Sequence, residues 1–162
     1  MMESILRVCD GLPERRVKPD ETLLVEGDAS SRLYVLIEGE LEVSSNGVQI
    51  STQSEPGSIF GEMAALLEVP HTATVKGFRH SRVYVVDNAA EFLRTHPEIT
   101  FFVTKLLARR LKGATDYLAD VKRQFEDQKG HFAMVDAVLA SLLHQQDEEC
   151  TLGSDRDPAS ST

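Results

Sequence analysis

Between residues 22 and 87 the apolar positions come in short runs, and polar turns interrupt each run before a helical period could establish itself. The runs are Thr22–Val25, Leu33–Ile37, Leu41–Ser44, Val48–Ser51, Ala73–Val75 and Arg82–Val86. Their Val, Ile, Leu, Tyr and Thr content suits a pleated, half-buried surface, so each is read as a strand. The turn signals are Glu26-Gly27-Asp28, Glu38-Gly39, Asn46-Gly47 and Pro56-Gly57. Asn46-Gly47 predicts a tight hairpin, because both residues tolerate positive φ. Strands this short and closely spaced predict a sandwich or barrel, not a parallel βαβ sheet. One element breaks the pattern: Gly61–Leu67 reads as a short helix between two strands.

On either side the period is helical. Residues 1–10 predict a short helix with Met2, Ile5, Leu6 and Cys9 on one face, broken by Gly11 and Pro13. Ala89–Thr95 predicts another, stopped by Pro97. A long helix should run from Pro97, a favourable first helical residue, to about Gln128, before Gly130 ends it. Within it Leu107, Leu111, Ala114, Leu118, Val121 and Phe125 recur every four and three residues, a seam of about 2.5 heptads. The seam can pack on the strands of its own chain or on the same helix of a second copy. It runs past the length the strands could cover, which favours a homodimer. Phe132–His144 predicts one more amphipathic helix. The expected organisation is a helical segment over 1–16, a β domain over 17–96, the long helix over 97–129, the extra helix over 130–146, and a polar, acidic tail without order over 147–162.

Composition narrows the function. A chain of 162 residues with 41% hydrophobic and 27% charged residues is an ordinary single-domain globular protein. No apolar run approaches the roughly 18 residues of a membrane span. Met1–Pro13 lacks the basic and apolar regions of a signal peptide. Cys9 and Cys150 lie near opposite ends and form no CxxC pair, so neither a disulfide framework nor a metal site is expected, and the cytoplasm is the expected compartment. His80, His96, His131 and His144 have no metal-ligand spacing. The net charge of −9 argues against nucleic acid as a partner. No Ser/His/Asp set, Cys/His set or Walker loop suggests an enzyme. After the long helix the chain has one further helix and no recognition helix, which argues against a helix-turn-helix regulator.

The informative stretch is Ser58–Val75. A strand leads into Gly61, and a one- or two-turn helix follows. The unpaired N–H groups at a helix start favour an anion, and Gly61 permits close backbone approach. Glu62 places a carboxylate beside them, able to accept from a sugar hydroxyl. A strand carrying His71, Thr72 and Thr74 then returns past the site. Donors for one phosphate and an acceptor for one sugar hydroxyl suit a compact cyclic phosphodiester.

Phe60-Gly61-Glu62-Met63-Ala64 together with Pro70-His71-Thr72-Ala73-Thr74-Val75 resembles the phosphate-binding cassette of cyclic-nucleotide-binding domains. That family includes the catabolite activator protein, regulatory subunits of cyclic-nucleotide-dependent kinases, and cyclic-nucleotide-gated channels. Glu26-Gly27-Asp28 and Leu33–Val43 match its strand–turn–strand signature, and Leu107–Leu111 resembles the start of the activator's dimer helix. The resemblance covers about residues 17–125. It implies a mainly β fold with helices: a β-roll, a double-stranded jelly-roll-like barrel with an N-terminal helix, a short cassette helix and C-terminal helices.

It also implies a cyclic-nucleotide sensor, with cAMP or cGMP as ligand, no metal, and an unknown downstream protein partner. The ligand-binding residues would be Gly61, Glu62, Met63, Ala64, His71, Thr72, Ala73 and Thr115. Gly61 and Ala64 would offer N–H groups to the phosphate, and Glu62 would take the ribose 2′-hydroxyl. Thr72 stands where a hydroxyl often accompanies cGMP binding, and Thr115 where the long helix meets the base. The family's phosphate-binding Arg is replaced by His71. Arg is always charged and forks onto two oxygens, whereas an imidazole titrates near pH 6.5 and offers one donor in a given direction. A hydrogen bond to a charged group is worth roughly 1.5–3 kcal/mol, so its loss would cost on the order of 10–100-fold in affinity. Arg79 and Arg82 are the other cations in reach of the sequence argument for that charge. The alternative reading is a degenerate fold of the same family, acting as a dimerisation or interaction module without nucleotide.

Overall fold

The computed structural model describes residues 2–125 and 134–142. By their contacts these fall into two units, one up to Thr104 and one from Lys105 onward.

In the first unit, α1 (Met2–Cys9) precedes β1 (Glu14–Val17), β2 (Thr22–Leu24), β3 (Leu33–Glu38), β4 (Leu41–Ser45), β5 (Val48–Gln53) and β6 (Ile59–Phe60). Then come α2 (Glu62–Leu67), β7 (Thr74–Gly77), β8 (Ser81–Val86), α3 (Ala89–Thr95) and the start of α4 (Pro97–Gln124). The strands form two antiparallel four-stranded sheets, in the orders β1-β8-β3-β6 and β2-β7-β4-β5. One core lies between them, built from Val17, Leu23, Leu24, Tyr34, Leu36, Leu41, Phe60, Val75 and Val83. These residues come from both sheets, so the layers share one apolar interior and neither stands alone. The β-roll with flanking helices expected from the sequence is therefore present. Its sheets do not close into a barrel. Among the described residues no strand of one sheet pairs with a strand of the other, and the edge strands include β6 and β2, of two and three residues.

Several local signals act as read. Asn46 and Gly47 take φ of 52° and 75° and turn β4 into β5. The Asn88 side chain caps α3 by accepting from Glu91 N at 3.2 Å, and Pro97 opens α4 one residue after α3's cap. On α1, Ile5 and Cys9 are buried. Strand β1 was not among the expected strands: it begins at Glu14, inside the segment read as an N-terminal helical region. Its sequence, Glu-Arg-Arg-Val, has no apolar alternation. Pairing with β8 makes it a strand, as tertiary partners override weak propensity.

In the second unit α4 continues to Gln124, and residues 134–142 form another helix, α5. Lys122 on α4 pairs with Asp136 on α5. The expected linker around Gly130 and the acidic tail over 147–162, including Cys150, lie outside the described residues. Among the described residues no helix is long and apolar enough to cross a membrane.

Candidate functional site

The two segments singled out in the sequence are held by one loop, residues 25–32, between β2 and β3. At the first, the chain leaves β6 through Gly61 at φ 95°, a left-handed conformation that costs an L-residue about 1–2 kcal/mol. A Cβ there would sit 2.6 Å from the Arg32 carbonyl oxygen and 3.4 Å from Leu33 Cα. Gly61 is thus needed twice, for its φ and for the contact of this corner with the loop. Helix α2 follows, with its first i→i+4 bond from Ala65 N to Gly61 O at 3.4 Å. Helix geometry leaves the N–H groups of Glu62, Met63 and Ala64 outside that ladder. Glu62 and Ala64 are buried and Met63 is half-buried.

At the second segment, His71 N donates to Asp28 O at 2.9 Å, and His71 O accepts from Gly27 N at 2.8 Å. The His71 ring is 4% exposed, and its Nε2 lies 2.7 Å from Ser30 Oγ. Thr72 is exposed, and its carbonyl accepts from Ser45 Oγ at 3.3 Å. Ala73 is half-buried at the foot of β7, where Thr74 Oγ1 accepts from Glu26 N at 3.0 Å. The Glu26 carboxylate accepts from Ser45 Oγ and Asn46 N at 3.0 and 2.9 Å, so it secures the β4–β5 turn.

The same loop reaches α3. Ser31 Oγ donates to Asp87 O at 2.6 Å, Ala89 N donates to Ser31 O at 2.8 Å, and Arg32 pairs with Asp87 at 3.3 Å. Gly61–Ala64, His71–Ala73 and the start of α3 therefore converge on one short stretch of backbone. Thr115 belongs to the second unit, where its hydroxyl donates to Leu111 O at 2.9 Å.

Arg79 and Arg82 are engaged elsewhere: Arg79 pairs with Glu40, and Arg82 with Glu14 and Glu38, at the β7–β8 turn end of the roll. Neither supplies a charge beside His71. Ser30 and Arg32 were not singled out in the sequence, where Ala29-Ser30-Ser31-Arg32 is an unremarkable polar loop. Nothing local marks a serine that meets a histidine forty-one positions away. Among the described residues no group of three or more His, Cys, Asp or Glu side chains could hold a metal ion.

A two-sheet roll, a short helix inserted after a left-handed glycine, and a following loop tied to the same corner together define one architectural class of β-roll. Residues 14–95 match the family model of the cyclic nucleotide-binding domain, and the chain belongs to that family. It is 27% identical over 141 residues to the cGMP-dependent protein kinase egl-4 of Caenorhabditis briggsae, a match covering 82% of this chain and 19% of the kinase. Among solved structures, one described as Sp-2Cl-cAMPS bound to PKAR CBD2 is similar at 26% identity and a TM-score of 0.56, over 71% of this chain and 75% of that one. The catabolite activator protein of Thermus thermophilus shares the fold at a TM-score of 0.61 and 19% identity, over 91% of this chain and 84% of that one. The chain spans about a fifth of the length of the curated kinases it matches.

Proposed function

We propose that this chain is a cytoplasmic, non-catalytic regulatory module that binds cAMP or cGMP and passes its state through the C-terminal helices to a downstream protein. The observation that carries the reading is the convergence of Gly61 and His71 on loop 25–32. In this reading the first-turn N–H groups over Gly61–Ala64 receive the cyclic phosphate and the Glu62 carboxylate accepts from the ribose hydroxyl. Thr72 and Ala73 flank the phosphate, and Thr115 is the base-side contact that the family resemblance implies.

His71 does the work of the family's Arg under different rules. A neutral imidazole has a single N–H to share between Ser30 Oγ and an anion. A protonated imidazole donates from both nitrogens and carries a charge. For binding to regulate anything, the ligand must favour one arrangement of the helices over another, and that coupling is reciprocal. A homodimer through α4 is part of the same reading, supported by the exposure of Leu111 (47%) and Phe125 (43%) on the seam.

A second reading, an interaction module without nucleotide, is favoured by one observation: His71 Nε2 is already bonded to the protein's own Ser30. Calorimetric titration with cAMP and with cGMP separates the two. Binding of either nucleotide is expected. Absence of heat with both at about millimolar concentration would replace the sensor with the interaction module.

A further inference from the structure

Ser30 and Ser31 are neighbouring exposed serines on the β2–β3 loop, and their hydroxyls meet different partners. Ser31 Oγ donates to the Asp87 carbonyl oxygen at 2.6 Å. Ser30 Oγ lies 2.7 Å from His71 Nε2, a ring nitrogen that can accept a proton. Arg32 N donates to the same Ser30 oxygen at 3.4 Å, which leaves the hydroxyl's own proton for Nε2. The His71 main chain is tied on both sides, to Asp28 O and Gly27 N, so the imidazole is held in place behind the loop. A buried ring beneath an exposed serine keeps the base from solvent and leaves the oxygen open to a reagent. The backbone adds a third feature. Among the described residues nothing accepts from the N–H groups of Ala29, Ser30 and Ser31, three consecutive donors around that oxygen. Among the described residues no carboxylate bonds His71 Nδ1, so the pair is a dyad without the third group of a hydrolase triad.

We propose that Ser30 is a covalent modification site, whose hydroxyl takes an acyl group from an activated ester or acyl thioester with His71 as the base. Ser30 Oγ attacks the acyl carbonyl carbon, and its proton passes to His71 Nε2. As the Oγ–C bond forms, the carbonyl π pair moves onto oxygen, where the free N–H groups of the loop are the available donors. When that pair returns, the bond to the leaving thiolate or alkoxide breaks, and the leaving group takes the proton from Nε2. The products are acyl-Ser30 and a free thiol or alcohol, with no change of oxidation state. Ser31 is also exposed, but its partner is a carbonyl, which does not serve as a base, so the reaction selects one of two adjacent hydroxyls. Without a third group to hold the imidazole for attack by water, the ester persists. The chain is then a stoichiometric acceptor, in keeping with a non-catalytic module. The proposal does not rest on nucleotide binding, which calorimetry tests separately.

The test treats the full chain with p-nitrophenyl acetate in neutral buffer and follows acetylation by peptide mass spectrometry, with fragment ions separating Ser30 from Ser31. General-base assistance is worth roughly 10²–10⁴-fold, and a dyad should give the lower end, so Ser30 should acetylate about a hundredfold faster than Ser31. In the urea-unfolded chain the two rates should come together. His71→Gln should slow Ser30 by about the same hundredfold and leave Ser31 unchanged, with the melting temperature reporting that the fold is kept. Should that variant fail to fold, the ratio of the two serines in the native and unfolded parent decides alone. The proposal is overturned by no acetylation of native Ser30, by Ser30 reacting no faster than Ser31, by a preference for Ser30 that survives unfolding, or by a folded His71→Gln that acetylates as the parent does.

Discussion

Ser30 Oγ lies 2.7 Å from His71 Nε2, in hydrogen-bond contact between the β2–β3 loop and the segment that precedes β7. The same serine oxygen accepts weakly from Arg32 N at 3.4 Å. With the ring buried, this is the bond that orients His71. An arginine at 71 could reach past the serine and fork onto a phosphate. His71→Arg should therefore tighten cAMP or cGMP binding about 10–100-fold at pH 8, read by calorimetry. An unchanged affinity would remove His71 from the phosphate side of the site. Ser30→Ala should cost about 1–3 kcal/mol in urea unfolding, the penalty for leaving a buried polar group unmatched.

Gly61→Ala should be costly for two separate reasons. The left-handed φ costs about 1–2 kcal/mol for an L-residue, and the forced approach to Arg32 O adds about 1–3 kcal/mol of overpacking. Gly27 shares the positive φ, at 87°, but has nothing within 4 Å of a built Cβ. Gly27→Ala should lose only the conformational part. Equal losses for the two variants in denaturant unfolding would show that the contact at Gly61 contributes nothing.

Glu21 gives the stability a pH dependence of known sign. The Lys18 backbone N–H, and next the Arg15 guanidinium, hold its carboxyl below the ordinary range; the bonds measure 2.9 and 2.7 Å. A depressed carboxyl stabilises the fold above its unfolded value of about 4.3, and that contribution disappears as pH falls through the folded value. Glu21→Gln should lower the melting temperature at about pH 7 and match the parent at about pH 3. A gap between the two that persists in acid would mean that the carboxylate's charge is not what matters.

Cys9 is fully buried, and burial pushes its thiol up to about 11. In a Cys150→Ser background, Ellman's reagent at pH 8 should label native Cys9 at least about a hundredfold more slowly than urea-unfolded protein, because reaction waits for opening of the fold. Labelling at the unfolded rate would mean that α1 does not stay docked.

The α4 seam makes its own prediction. Leu118→Asp should shift the sedimentation of a dimeric parent to that of a monomer, since a charge at a seam position is desolvated on pairing. An unchanged assembly state would end the dimer reading.

How much of this was legible beforehand depends on how local each cause is. Asn46-Gly47 carries its turn in two residues, and Leu33–Ile37 carries its strand in its own composition. The helix after Gly61 could be placed because a glycine after a strand and before an apolar run has few other uses. Strand β1 was hidden because its strand character comes from pairing with β8. The separation of the two sheets was hidden because long-range pairing, not any single run, decides which strands share a sheet. At the site, Glu62 and His71 could be named from spacing and family resemblance. Ser30 and Arg32 could not, since their importance comes from what folds against them.

The loop from Val25 to Arg32 touches the glycine corner, the histidine and the first turn of α3, yet Ala29, Ser30, Ser31 and Arg32 are exposed to solvent. Loops vary more in sequence than the elements they connect. On the proposed reading, affinity could be retuned by exchanges at this rim, without altering any atom that meets the guest. The same exchanges would be felt where α3 begins, so on that reading grip and output would drift together.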